Sequence, residues 1–495
     1  MNIVERFRPL FHPRGVAISG VSAHPGKWGF LFLHHILRFG YPGKIFPINR
    51  DGVDVLGRKT ARSIDEIPVG DADLLIVCTP TGINAELIRS AGRRGIRAAF
   101  VAAAGYGEAG EGGRRLESEL VAAAEQAGML LAGPNGQGLI STGARLCAQM
   151  VAPYPPPGRI SVASQSGNLV SSFCHYATMN EIGISKAISC GNSAQLAIDD
   201  YLEYFAEDPD TAVAFVYLEG VREGRRFVER VSRFSREKPL VVLKGGATAL
   251  GQRAASSHTG SLASDDAIFD GLCRQLGVSR AETLEEAYEA AATFATQPLP
   301  HGNRVLIFTA AGGWGVLCAD ACVRAGLEVV ALPEDLRAEI DALLPSRWSR
   351  NNPVDMAGGE SRETIPALLD LVTRHRAVDA VIYLGIGIQA ANAQVLKTGE
   401  FYPDNGLERI VAFHERQDAR YAEAAKDVSE RYAKPVLCAS ELVYTDRAGL
   451  NPALRTVAAG GRIVYPSAHR AVRALRHLVG YAQWRSRRAA SGARE

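Results

Sequence analysis

The chain has 495 residues, too many for one ordinary core, and domains of about 100–200 residues predict roughly three of them. It is 47% hydrophobic and 22% charged, the composition of a folded globular protein, and 55 basic against 53 acidic residues leave a net charge of +2, which supplies no general field for nucleic acid or an anionic membrane. The 8 scattered cysteines form no CxxC pair or His/Cys cluster, MNIVERFRPLF holds no uninterrupted apolar signal region, and no run approaches the ~20 apolar residues that cross a bilayer, so a cytoplasmic protein without a bound metal is expected.

Short β-branched runs alternate with longer segments of helical period along the whole chain, the pattern of repeated βα units around parallel sheets. Strands are expected at 15–21, 44–49, 73–79, 98–103 and 129–131, with helices between most of them, giving a Rossmann-like domain over 1–151. The proline-rich APYPPPGR then interrupts the pattern. A second series follows at 160–164, 185–189, 213–218 and 240–244 with a helix from about Ser264, and predicts a flavodoxin-like domain over 152–298. QPLPHGN breaks the pattern again. A third α/β domain, 299–485, restarts at RVLIFTAAGG, with later strands at 380–387, 409–414, 434–440 and 462–467 and a closing helix from His469. Residues 486–495, basic and small, read as a frayed tail.

Three turns join a strand to a helix through glycine. SGVSAHPGKWG (19–29) offers backbone N–H groups, a helix start and the cation of Lys27, which suits a phosphate-rich ligand. It is not GxGxxG, and Asp51, about where a nicotinamide site would place its ribose acid, is a poor substitute. ASQSGNLVSS (163–172) leads through small hydroxylated residues and Gly167 into a helix, and TAAGGWGVLCAD (309–320) does so through Gly312, Gly313 and Gly315. Each is either a packing turn or a phosphate seat, because glycine serves both. Together the last two can flank one phosphoryl group if their domains face each other.

Between the strand PLVVLKGG and the next helix lies RAASSHTGSLASDD, a loop of small residues around His258. It gives the imidazole little apolar packing and leaves room for a charged visitor. A loop histidine in isolation is usually only a surface residue.

SSHTGSLA closely resembles the phosphohistidine loop of the NDP-forming (ADP-forming) acyl-CoA synthetases, in the succinyl-CoA synthetase superfamily. SGVSAHPGKWG, VCTPTG (77–82) and AGPNGQG (132–138) resemble that family's CoA-domain elements. SQSGNL, CGN (190–192) and VYLEGV (216–221) resemble its phosphate-binding helix start, an active-site turn and its glutamate-bearing strand; AAGGWG and NNPVDM (351–356) resemble its GGxG and NPVD elements. The resemblance spans about residues 6–485 and implies a Rossmann-like CoA-binding domain followed by two flavodoxin-like parallel-sheet domains, the large, alpha-type component of such a ligase.

The resemblance further implies that His258 takes the phosphoryl group and that Glu219 holds its ring. A neutral imidazole has one lone-pair nitrogen for attack, and a carboxylate accepting the other N–H fixes the tautomer. It places phosphate at Ser166, Gly167, Asn168, Gly312, Gly313 and Gly315, and CoA, the substrate thiol, at Ser22, Lys27, Thr79, Pro80 and Asn135. Three departures stand out: Gly136 where the family often has cysteine, Trp314 where relatives commonly carry a small residue, and a CGNSAQLAIDD segment lacking the usual acidic continuation.

The sequence shows no ATP-grasp module and no GxxxxGK[ST]. Nucleoside triphosphate and Mg²⁺ are therefore expected on a separate ATP-grasp subunit, in a hetero-oligomer. Two other readings are a non-catalytic CoA or acyl-CoA-binding regulatory protein of the same fold and a nicotinamide dehydrogenase; the presence of His258 and Glu219 weighs against the first, and the missing GxGxxG against the second.

Overall fold

The computed structural model describes residues 2–151, 153–253, 265–356, 358, 363–444 and 451–492. It divides into two compact units, residues 1–179 with 183–288 and residues 180–182 with 289–495. No helix among the described residues is long and apolar enough to cross a membrane.

The first unit holds two sheets. One comprises β1 (Gly15–Ser19), β2 (Lys44–Ile48), β3 (Leu74–Val77), β4 (Ala98–Val101) and β5 (Leu130–Ala132), all parallel in the order β2-β1-β3-β4-β5. The central strands are short apolar runs because helices cover both faces; β1, β3 and β4 are buried along their whole length.

The other sheet contains β6 (Gly138–Ser141), β7 (Leu146–Gln149), β8 (Pro157–Ser164), β9 (Ile184–Ser189), β10 (Val213–Leu218), β11 (Leu240–Lys244) and β12 (Ser279–Ala281), ordered β12-β11-β10-β8-β9-β6-β7. Its strands from β8 onward are parallel, while β6 and β7 form an antiparallel hairpin on the β9 edge. That hairpin precedes the proline-rich stretch yet completes the sheet that follows it. The helix Ile3–Phe11 also reaches the second sheet's layer, stacking Phe7 and Phe11 on Tyr204 with ring centroids 4.9 and 5.2 Å apart.

The second unit is built on β13 (Arg304–Thr309), β14 (Glu328–Val329), β15 (Val354–Asp355), β16 (Ala380–Leu384), β17 (Val436–Ala439) and β18 (Val464–Tyr465), all parallel in the order β14-β13-β16-β17-β18, with β15 pairing the end of β13. Its core gathers Leu306, Phe308, Val381 and Tyr383 under Leu368, Tyr421 and Val428.

Two expectations fail here. The segment 409–414, RIVAFH, is not a strand but lies inside the helix Leu407–Tyr432. Its four-residue apolar run, IVAF, does not separate strand from buried helix. The longer pattern does, because Val411, Asp418, Tyr421, Ala425 and Val428 recur on one buried helical face. The supposed tail is helical through 492, as part of Ala468–Gly492. Its arginines and alanines are strong helix formers, and the helix continues through them from a well-packed start.

Candidate active site

All three parallel cores share one strand order, second-first-third-fourth-fifth, and in each the first strand runs into one of the glycine turns. The turn therefore leaves the sheet at its topological switch point, between β1 and β3, β8 and β10, or β13 and β16. Open α/β sheets hold ligands at that place, outside the carboxyl ends of the strands.

At the first switch point the Ser19 and Thr79 hydroxyls meet at 3.1 Å, and Thr79 donates to Asn84 Oδ1 at 2.7 Å. Buried Asn84 in turn donates to the Thr79 carbonyl and to Tyr106 Oη, at 3.1 and 2.9 Å, so the end of β3 is fixed. Ser22 Oγ accepts from the His24 amide at 3.1 Å and shapes the turn. Lys27 stands exposed at the cap of the helix Trp28–Arg38, and Pro80 is exposed past β3. Ser22 and Lys27 thus follow β1, and Thr79 and Pro80 follow β3, beyond the carboxyl ends of two neighbouring parallel strands. Asp51 is exposed beside Arg50.

At the second switch point a cavity of about 250 Å³ opens. Four segments far apart in sequence wall it: Asn135, Gly136 and Gln137 after β5; Ser166, Gly167 and Asn168 at the start of the helix Gly167–Met179; Gly191, Asn192 and Ser193 after β9; and Leu218, Gly220, Val221 and Arg222 after β10. Polar contacts tie the walls together. Gln137 Nε2 donates to Asn168 Oδ1 at 2.8 Å, Asn135 Nδ2 to Asn192 Oδ1 at 3.3 Å, and Arg222 Nη2 to the Asn192 carbonyl at 2.8 Å. Cys190 of the CGN turn is fully buried, and burial pushes its thiol well up, so it is no nucleophile.

Glu219 follows β10 with 7% of its surface exposed. Its amide donates to Gln165 Oε1 at 2.5 Å, that oxygen also accepts from the Gly220 amide at 3.2 Å, and Gln165 Nε2 donates to the Gly220 carbonyl at 3.0 Å. Gln165 thereby clamps the end of β10 to the end of β8. The Glu219 carboxylate accepts from the Tyr217 hydroxyl, which burial and this negative neighbour push up to about 12. His258 lies outside the described residues. After its loop, Asp266 is gripped by Lys244 Nζ at 3.2 Å and by Arg280 Nη2, which donates to both carboxylate oxygens at 2.8 Å, and this anchors the helix Asp266–Leu276 to β11.

Sequence reasoning singles out Asn135, Ser166, Gly167 and Asn168 of this cavity. It misses Gln137, Gln165, Arg222, Trp28 and Asp199, which also line it. Gln137 and Gln165 sit inside the AGPNGQG and ASQSGNL motifs, and their side-chain amides were the available signal. Asp199 is a wall residue whose charge is met by Arg226 at 2.6 Å and Arg230 at 3.0 Å.

In the second unit the helix Gly312–Arg324 starts directly after β13, where Thr309 Oγ1 accepts from the Ala311 amide at 2.9 Å. Asn352 takes the Ile307 amide at 2.9 Å and donates to the Val305 and Val330 carbonyls, holding the NPVD segment against β13. A Cβ at Gly312 would stand 2.4 Å from Asp355 Oδ2, whereas around Gly313 nothing lies within 4 Å.

Three open parallel sheets, each with a glycine turn at its switch point, define the class as α/β, and the matching domain families make it a CoA-ligase type. A CoA binding domain family matches residues 14–141, a succinyl-CoA ligase like flavodoxin domain residues 157–294, and a ligase-CoA domain residues 305–389. The chain is 38% identical over 373 residues to the acetate–CoA ligase [ADP-forming] II subunit alpha of Pyrococcus furiosus, covering 75% of this chain and 81% of that one. It is 28% identical to the 4-hydroxybutyrate–CoA ligase [ADP-forming] of Nitrosopumilus maritimus over 96% of this chain and 64% of the relative. Among solved structures, the dinucleotide-forming acetyl-coenzyme A synthetase 1 of Ca. Korarchaeum cryptofilum, in complex with phosphate and ADP, superposes with a TM-score of 0.83 at 30% identity over 98% of both chains. The chain belongs to this family of ADP-forming acyl-CoA ligases, which are acid–thiol ligases.

Proposed function

We propose that the chain is the CoA-binding, phosphohistidine-carrying component of a reversible acyl-CoA synthetase, converting carboxylic acid, CoA and nucleoside triphosphate to acyl-CoA, nucleoside diphosphate and phosphate. The observation that carries this reading is the convergence of four sequence-distant motifs on one polar cavity at the β8/β10 switch point, with Glu219 clamped at its edge. CoA would lie along the first switch point, its phosphates near Ser22 and Lys27, and its chain passing Thr79, Pro80 and Asn135 towards the cavity. The amides at Ser166, Gly167 and Asn168 point a helix start at a phosphoryl group, and the Gly312, Gly313 and Gly315 turn offers a second such set.

His258 is assigned as carrier from its motif. Its ring nitrogen attacks the γ-phosphorus of the nucleotide, the P–O bond to the diphosphate breaks, and the phosphoryl group later passes to the carboxylate substrate. The CoA thiolate then attacks the acyl phosphate and releases inorganic phosphate. Glu219 accepts the other imidazole N–H and offsets the developing positive charge. Nucleotide and Mg²⁺ would be supplied by an ATP-grasp subunit; the subunit naming of the Pyrococcus relative and the additional length of the Nitrosopumilus relative support a further module.

The test incubates the complete complex with nucleoside triphosphate and Mg²⁺ in the absence of CoA. A phosphoryl label on His258, lost in acid and retained in base, is expected. His258→Ala abolishes label and synthesis, and Glu219→Gln keeps the fold but slows phosphorylation by about 10²–10⁴-fold. A label on another residue, or near-parental synthesis by His258→Ala, refutes the reading. CoA binding with no turnover in the assembled complex would favour the regulatory alternative instead.

A further inference from the structure

The second unit carries a cavity of about 390 Å³ at the amino-terminal ends of β17 and β18, the opposite edge of the sheet from the Gly312 turn. This volume is in the range of small-molecule sites. Its walls come from the carboxyl half of the helix Leu407–Tyr432, the helix Pro452–Ala459 and the approach to β18, and much of the lining is apolar, including Ala422, Ala425, Val436, Val457 and Ile463.

One wall group does not fit a merely packed interior. Arg462 lines the cavity with only 7% of its side chain exposed, and its Nη1 has no hydrogen-bond acceptor among the described residues. Its ion-pair partner is Glu430, whose oxygen stands 3.7 Å from Nη2, beyond good hydrogen-bonding distance, and whose own side chain is 58% exposed. Two other polar groups deep in the wall are engaged or neutral. Gln297 spends both ends of its amide on the Val436 backbone, and burial pushes the Cys438 thiol up to about 12. A buried guanidinium with an unmet donor is costly, and its planar fork matches a carboxylate in a charge-assisted pair.

The charges select further. Lys426 and Arg462 are balanced in the lining by Glu423 and Asp427, both exposed at its rim. A multiply charged anion would be repelled there, whereas a single carboxylate on an apolar body meets both the guanidinium and the walls. We infer that this cavity is a binding site for a monocarboxylate with an apolar body, separate from the reaction site and independent of the mechanism proposed above.

Amide hydrogen exchange read by mass spectrometry on the full chain tests it, with 4-phenylbutyrate as probe and 4-phenylbutan-1-ol as its uncharged counterpart. At ten times its dissociation constant the carboxylate should slow exchange through opening of segments 422–427 and 456–463 about tenfold. The alcohol should not. Arg462→Gln should raise the dissociation constant about tenfold to hundredfold, the loss of one charge-assisted hydrogen bond, so that at the same probe concentration the slowing falls to about twofold or less. Thr456→Phe, which fills the cavity and leaves Arg462 in place, should abolish it and decides the matter if Arg462→Gln fails to fold. No slowing in the parent chain, equal slowing by the alcohol, or slowing that survives Thr456→Phe overturns the inference.

Discussion

Placing a cysteine at Gly136 is the sharpest test of how the cavity wall is packed. A Cβ at this position would lie 2.6 Å from Phe100 Cζ, 3.2 Å from Phe100 Cε2 and 2.9 Å from the Ser189 carbonyl oxygen. The carbonyl belongs to β9 and cannot turn away. The Phe100 ring is fully buried and tilted against Phe32 at 6.3 Å, in a core that yields little. Gly136→Cys should therefore cost about 1–3 kcal/mol, the usual range for forcing atoms into a packed interior. Phe100→Leu withdraws the ring's far atoms and alone should cost about 1–2 kcal/mol through the space it leaves. Combined, the two changes should destabilise less than their sum by about 0.5–3 kcal/mol, because each relieves the fault of the other. Urea titration of all four proteins, following the transition of the first unit, measures the coupling. A Gly136→Cys protein within about 0.5 kcal/mol of the parent, or a double variant that is simply additive, would refute the claim that Phe100 crowds this position.

Gln165→Ala should remove the clamp on Glu219, leaving two amides and a carbonyl short of partners, for about 2–4 kcal/mol and a slower phosphorylation step with an unchanged CoA affinity; stopped-time labelling and calorimetry together separate these effects, and a slower step at unaltered stability would show that Gln165 acts otherwise. Asp418 accepts the Ala390 amide at 2.6 Å, and burial raises its carboxyl to about 6. A raised carboxyl makes a stability contribution that is full below the unfolded value near 3.8 and lost as pH climbs through 6. Asp418→Asn should therefore remove a decline of about 2 kcal/mol between pH 4 and pH 6.5, seen as diverging denaturation midpoints of parent and variant across that window; parallel curves would refute the assignment.

The class of fold was legible because it is written locally. Each βα unit carries its own change of period, and each glycine turn directly follows its strand. Sheet membership is not local. The hairpin β6–β7 sits before the proline break and joins the sheet after it, a pairing decided by β9 some 40 residues on. STGAR between two short apolar runs was a hairpin signal, and the structure turns there with Arg145 at φ +50°. The helix Leu407–Tyr432 shows the opposite failure: its strand-like fragment misleads when separated from the periodic stretch that follows it. Gln137 and Gln165 escape a sequence reading because their roles exist only once distant strand ends meet.

The glycine turns presented a choice between close packing and phosphate binding, and the answer differs from glycine to glycine. Gly29 packs its backbone on Gly20, where a Cβ would stand 2.2 Å from the Gly20 carbonyl oxygen, so its identity is fixed by the fold. A Cβ at Gly167 would stand 2.3 Å from Gln137 Cγ, and one at Gly191 2.0 Å from the Pro134 oxygen. These residues bring three turns into contact, which is what closes the cavity at the second switch point. In the third turn Gly312 and Gly315 are likewise hemmed in, by Asp355 and by Pro353 with Thr309. Gly313 is not. It is exposed, with open space where a side chain would go, so packing gives no reason for glycine there. Under the function proposed above an approaching anion would supply one, because a Cβ would stand between it and the amides at the start of the helix. Packing thus accounts for most of these glycines, and Gly313 is the one that it leaves to the phosphate seat proposed above.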